Sequence, residues 1–185
     1  MKLVRSLGLV IATVAVVTGC GTATGPGLQT SARPETPRST EQNAEPRPAD
    51  VAEQLRFTAK TLDGNEFSGQ SLAGRPAVLW FWAPWCPVCQ REAPTVAKVA
   101  QTNTGVTFVG VAAQDELPAM RQFVSKYDMG SFVHVADLDA AVWTRFGVTV
   151  QPAYAFIGSD GSVDVVKSSM SEPDLAARVD ALDRT

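Results

Sequence analysis

From residue 52 onward, short apolar runs alternate with amphipathic stretches. Ala77-Val78-Leu79-Trp80-Phe81-Trp82 is apolar at every position, the pattern of a strand buried on both faces of a sheet. Val106–Val111 predicts a second buried strand. The helix that follows the first strand is expected to run to about Gln101, with Pro94 kinking it. Leu117–Tyr127 predicts a helix with Pro118 in its first turn and Met120, Phe123 and Val124 sharing a face. Leu138–Phe146 predicts another, stopped by Gly147, and Ser171 with Asp174 forms a capping-box start for the last. Two hairpins complete the set. Arg56–Lys60 and Glu66–Ser68 flank Asp63-Gly64-Asn65 and are expected as edge strands, and Ala153–Ile157 and Val163–Lys167 flank Ser159-Asp160-Gly161-Ser162. The order is that of an α/β domain with a central mixed sheet flanked by helices and an N-terminal β-hairpin.

The first fifty residues follow other rules. Lys2 and Arg5 precede an apolar run, Leu7–Val17, that is too short to span a bilayer comfortably and reads as an export signal. It ends in Val17-Thr18-Gly19-Cys20, which resembles the bacterial lipobox, where the cysteine is acylated and the chain is cut just before it. An ordinary signal peptide cut nearby, or a short N-terminal anchor, is the alternative. From Gly21 to about Asp50 the chain is mostly Gly, Thr, Pro, Ala, Ser and Glu, with one Leu and no aromatic, too little apolar surface to order itself. Such a tether has a root-mean-square reach of roughly 30 Å, and a glycosylated stalk is compatible with the same composition. The expected organisation is therefore a lipoprotein signal peptide over residues 1–19, lipidated Cys20 with its tether over 20–51, and a folded domain over 52–185. That places the domain extracytoplasmically, anchored by lipid to the outer face of a bacterial cell membrane.

Charge narrows the function. Sixteen basic against nineteen acidic residues give a net charge of −3, and no Lys/Arg cluster supplies a footprint for nucleic acid. The informative chemistry is Cys86-Pro87-Val88-Cys89, at the mouth of the predicted helix after the first buried strand. Residues three apart on a helix share a face, about 5–6 Å between Cβ atoms, so these sulfurs can form and break a disulfide. Cys86 at the helix start meets free N–H groups and the positive end of the helix dipole, which favour a thiolate, so it is the attacking sulfur and Cys89 the resolving one. Pro87, with no N–H, stiffens the first turn.

Other uses of the spacing fare worse. With three cysteines and one histidine in the chain, a four-ligand zinc site is short of ligands. Position 90 is Gln, where covalent haem attachment needs His. A structural bridge would close a loop too short to stabilise much. His134, within Phe132-Val133-His134-Val135, lies far along the chain from the cysteines and is expected to be structural or superficial rather than a base for Cys86. No cofactor beyond the Cys86/Cys89 disulfide and no metal is expected.

The chain is similar to the thioredoxin superfamily over nearly all of residues 52–185. Phe81-Trp82-Ala83-Pro84-Trp85-Cys86-Pro87-Val88-Cys89 resembles its active-site signature, Pro94 its helix-kinking proline, and Gln151-Pro152 its cis-proline loop. The resemblance implies a thioredoxin fold and a Gln151-Pro152 backbone that pairs with extended substrate peptide. The run through Glu92 and Pro94, with the inserted segment between 112 and 135, resembles the exported TlpA, ResA and DsbE-like branch, closest to actinobacterial DsbE/DsbF lipoproteins. Disulfide exchange on reduced or unfolded exported proteins is implied, with a membrane electron acceptor or donor as partner. The oxidising direction is expected; a tethered reductase of the cytochrome c maturation kind, or a non-catalytic peptide-binding adaptor, is the alternative. Trp85 is expected in an exposed apolar lip with Pro87 and Val88 as its neighbours, Trp80 and Trp82 in the core. Glu92 is either a modulator of the thiol pair or a solvated surface carboxylate. The superfamily's usual buried acid, nine residues before the second cysteine, falls here at Trp80, so proton transfer to Cys89 must use water, Glu92 or another route.

Overall fold

A computed structural model describes residues 51–184; the expected export signal, Cys20 and the tether lie outside the described residues. The continuous apolar runs do become the central strands. β3 (Ala77–Trp82) is buried along its whole length and runs parallel to β4 (Thr107–Ala112), with Trp80 opposite Gly110. On its other side β3 pairs antiparallel with β6 (Ala153–Ile157), Trp80 facing Tyr154. The outer strands are β1 (Thr58–Thr61), β2 (Glu66–Ser68), β5 (Val133–Ala136) and β7 (Val163–Val166), and the seven-stranded order is β2-β1-β5-β4-β3-β6-β7. Of the first hairpin, β2 alone is an edge; β1 pairs antiparallel with β5 and is interior, a correction that only the sheet order reveals.

Four helices cover the sheet. α1 (Pro87–Thr102), α2 (Leu117–Lys126) and α4 (Glu172–Asp183) form along the predicted stretches. Pro94 lies inside α1, and Ser171 caps α4, its hydroxyl accepting the Asp174 N–H at 3.3 Å. α3 is shorter than predicted, Ala141–Arg145 rather than Leu138–Phe146. Buried Asp137 sets its start: the two carboxylate oxygens accept the N–H groups of Val142 and Trp143 at 3.0 and 2.8 Å, while Ala140 takes a left-handed φ of 54°. Those bonds satisfy helix-start donors that lack a partner within the helix. Gly147, at φ 64°, ends the turn as expected.

Alternation along the strands sorts the core into two layers. Val78, Trp80, Trp82, Tyr154 and Phe156 face α1, α2 and α4, and Leu79, Phe81, Ala155 and Ile157 face α3 and the N-terminal segment. Full burial of one such large side chain stabilises by about 2–3 kcal/mol relative to exposure. Trp82 stacks on Phe123 of α2 at 4.3 Å between ring centroids and on Trp80 at 5.8 Å, so the inserted segment packs directly under the strand that leads to the cysteines. Arg121 ties the same helix to the first hairpin, its Nε and Nη2 donating to the Leu62 carbonyl at 2.8 and 2.6 Å.

Candidate active site

Strand β3 delivers the cysteines. It ends at Trp82, and Ala83 to Trp85 turn the chain so that Cys86 becomes the N-cap of α1 with Pro87 in the first turn. The Cys86 Sγ accepts the backbone N–H of Cys89 at 3.2 Å, and its carbonyl accepts the first helical bond from Gln90 at 3.0 Å. The Cys86 thiol also points at the Gln151 carbonyl, 4.0 Å away, and the Gln151–Pro152 peptide is cis. Two segments that are 65 residues apart in sequence therefore meet at one sulfur. Both cysteines are present as thiols.

The two sulfurs sit in unlike surroundings. Both are buried, but Cys86 keeps 3 % exposure, whereas Cys89 is sealed at 0 %. Burial pushes the Cys89 thiol well up, reinforced by its bond to Cys86 and by the Cys86 and Glu92 charges. Losing its proton is thus a step that needs help from the protein or from water.

Glu92 is not the solvated carboxylate that its place on a helix allows. It is 6 % exposed, one turn beyond Cys89, and held from both sides: Trp80 Nε1 donates to Oε2 at 3.2 Å and the Met170 N–H to Oε1 at 2.6 Å. Burial raises its pKa, and the Met170 bond works in the opposite direction. The position that carries the superfamily's usual acid is thereby occupied by a tryptophan that grips an acid from the next helix. The Tyr154 hydroxyl lies close to both Glu92 and Trp80, and it makes no hydrogen bond of ordinary geometry with any of the described residues. Leaving a buried hydroxyl unpaired costs about 1–3 kcal/mol.

Two exposed apolar side chains flank the site. Trp85 is 52 % exposed, with its Nε1 anchored to the Gln114 carbonyl at 3.0 Å, and Val150, next to the cis-proline loop, is 50 % exposed. A hollow of about 270 Å³ opens beside Trp85, lined by Gln90, Asp115, Gln122, Phe123 and Tyr127 among others. Val88 is half-buried against the core and Pro87 exposed.

His134 stands apart. It lies in β5, two strands away from β3, with Nε2 against the Met129 carbonyl at 2.9 Å and its ring edge-on to Trp82. Burial holds its pKa down to about 4. Neither Nδ1 nor Trp82 Nε1 has a hydrogen-bond partner among the described residues; both lie over Gly110, where a Cβ would meet them at 2.1 and 2.9 Å. That glycine is required by close approach. No cluster of metal-ligating side chains occurs among the described residues.

The sequence pattern of the Redoxin family matches residues 44–181. The chain belongs to the Redoxin family. Within it, the relatives place the chain in the TlpA/ResA/DsbE-like branch of thiol-disulfide oxidoreductases, whose redox centre is a cysteine pair of their own. The soluble secreted antigen MPT53 of Mycobacterium tuberculosis is 47% identical over 140 residues, 74% of this chain and 80% of the relative. Among solved structures, MTB DsbF in its mixed oxidised and reduced forms has 59% identity and a TM-score of 0.71, covering 71% of this chain and 98% of that one. A secreted Mycobacterium tuberculosis disulfide oxidoreductase homologous to E. coli DsbE has 48% identity and a TM-score of 0.68, covering 70% and 98%. This Redoxin chain therefore has the fold that its cysteine signature implied.

Sequence reasoning missed Tyr154, Met170 and Val150. Tyr154 reads as one more apolar residue in a buried strand, and Met170 contributes a backbone N–H, which no side-chain pattern reports. A hydroxyl within an apolar run opposite a tryptophan was the available signal.

Proposed function

We propose that this chain oxidises thiol pairs of exported proteins outside the cytoplasm, with Cys86 as the exchange centre and Cys89 as its buried partner. The observation that carries the reading is Cys86 at the α1 N-terminus, its Sγ accepting the Cys89 N–H and facing the Gln151 carbonyl of the cis-proline loop. In the oxidised protein, a substrate thiolate attacks Cys86 Sγ, the Cys86–Cys89 bond breaks, and Cys89 leaves as a thiolate that takes up a proton. A second substrate thiolate then attacks the substrate sulfur of the mixed disulfide, closing the substrate's disulfide and releasing Cys86 as a thiolate, which the helix N-terminus stabilises. Two electrons pass from substrate to the cysteine pair, and an electron acceptor in the membrane restores the disulfide.

Substrate binding is assigned to the backbone at Gln151 and Pro152, which offers an extended peptide its hydrogen-bonding groups, and to the apolar lip of Trp85, beside Pro87 and Val88. Glu92 serves proton transfer to and from Cys89. Export of the named relatives, a secreted antigen and a secreted disulfide oxidoreductase, supports the extracytoplasmic location, and lipidation at Cys20 keeps the domain tethered to the membrane surface. As a reductase, the same residues run in reverse. The test is the reduction potential of the Cys86/Cys89 pair in the full chain, by equilibration in glutathione buffers with tryptophan fluorescence. A value of roughly −120 to −180 mV supports the oxidase; one of about −270 mV overturns it in favour of the reductase. Unchanged cellular function in a Cys86→Ser/Cys89→Ser double variant would instead make the chain a peptide-binding adaptor.

A further inference from the structure

Cys89 exchanges a proton in every cycle, yet it is sealed from solvent, and no hydrogen bond joins it directly to Glu92. Beside Glu92 lies Tyr154. It sits directly opposite Trp80 in the β3–β6 register, so the two side chains emerge on the same face of the sheet, toward α1. Trp80 reaches the Glu92 carboxylate from that face. Tyr154 belongs to the same buried layer as Cys89, is 0 % exposed, and starts two residues beyond the cis-proline whose neighbour faces Cys86. Its hydroxyl lacks a hydrogen bond of ordinary geometry, although a phenylalanine would fill the same space without burying a hydroxyl there.

We propose that the Tyr154 hydroxyl passes the proton between Glu92 and the Cys89 thiol. The inference rests on the exchange chemistry proposed for the cysteine pair and adds a group to it. When oxidised protein accepts a substrate thiolate, the Cys86–Cys89 bond breaks; the Cys89 thiolate takes the proton of the Tyr154 hydroxyl as that oxygen takes one from the protonated Glu92 carboxyl. In the reverse direction, Cys89 gives its proton to Tyr154 oxygen while Tyr154 gives its own to the Glu92 carboxylate, and the Cys89 sulfur attacks Cys86 Sγ as the substrate thiolate leaves. Charge and protons balance in both directions, and the phenol is neutral before and after. Burial and the neighbouring Glu92 charge keep that phenol protonated throughout the ordinary pH range. The titratable groups around it are Glu92, Cys89 and, beyond them, Cys86, all from α1 and its cap. From β7 and α4, Asp164 and Arg178 pair with each other, with the guanidinium over Phe156.

The decisive experiment follows reduced full-length protein reacting with oxidised glutathione, acid-quenched and resolved by mass, from pH 5 to 9. It separates formation of the Cys86–glutathione mixed disulfide from its resolution by Cys89. Tyr154→Phe, which removes only the hydroxyl, is expected to leave the first step unchanged and to slow the second by about tenfold or more at neutral pH, so that the mixed disulfide accumulates. It should also flatten the pH dependence that Glu92→Gln removes in the parent. Resolution within twofold of the parent across the range, with Glu92→Gln still slow, overturns the relay and leaves Glu92 acting through water. A parent protein that forms no mixed disulfide at Cys86 overturns the exchange reading itself. Should Tyr154→Phe not fold, the resolution step of the parent in mixed H₂O and D₂O decides: a relay moves two protons and bends the rate against deuterium fraction, whereas a straight line overturns it.

Discussion

Lowering the pH should unfold this protein in part through a buried residue two strands away from β3. His134 is 5 % exposed, and burial holds its pKa at about 4, down from 6.5. Between those values the unfolded chain binds a proton on this ring that the native state refuses, so stability must rise with pH there. The contribution is intact above about 6.5 and is lost as the pH falls toward 4, where the native ring also begins to protonate. At about 1.4 kcal/mol per pH unit the whole effect is about 3 kcal/mol, of which about 2.5 kcal/mol is gone by pH 4.5. Carboxylates titrate in the same window, so the parent must be compared with His134→Gln, which does not titrate and retains a donor for the Met129 carbonyl. Urea unfolding of both proteins from pH 7.5 to 4.5 gives the difference directly. It should shrink by about 2.5 kcal/mol across the range. A difference constant to about 0.5 kcal/mol would show that the native ring protonates as freely as the unfolded one, and that burial is not what governs it.

Gly110→Ala places a Cβ 2.1 Å from His134 Nδ1 and 2.9 Å from Trp82 Nε1, both on buried rings with little room to yield. It should cost about 3 kcal/mol, the upper end of overpacking penalties, read from the urea midpoint. Asp137→Ala removes the acceptor for two N–H groups at the start of α3 and should cost about 2 kcal/mol, with Asp137→Asn milder; thermal unfolding distinguishes them. Glu92 is held protonated to higher pH in the native state than in the unfolded chain, so its contribution is full in acid and lost as pH rises through the raised pKa. Glu92→Gln should accordingly gain stability over the parent between pH 5 and pH 8, measured by denaturant unfolding. Cys89→Ser should trap substrate on Cys86 as a mixed disulfide, visible on non-reducing gels, whereas Cys86→Ser should trap none.

Strand β3 and the cysteine helix were readable because their signals are local. Six consecutive apolar residues specify a doubly buried strand, and a proline after Cys86 specifies a helix start, whatever the rest of the chain does. The start of α3 was not readable, because it depends on where Asp137 points: the apolar pattern from Leu138 onward fits a helix, but the Asp137 carboxylate defers it to Ala141. The same holds for β1, whose neighbours are settled by sheet order rather than by its own residues.

The sequence by itself pointed to the Cys86/Cys89 pair and its order along the helix, which residue type and spacing within one turn carry, whereas the cis-proline at 152 followed from the family resemblance alone. Only the tertiary structure decided what surrounds the second sulfur. Pairing of β3 with β6 sets Trp80 against Tyr154, the packing of α1 brings Glu92 down onto both, and the Met170 N–H arrives from the loop before α4. Those groups come from four separate segments, and their charges and hydrogen bonds acquire strength because the fold buries them together.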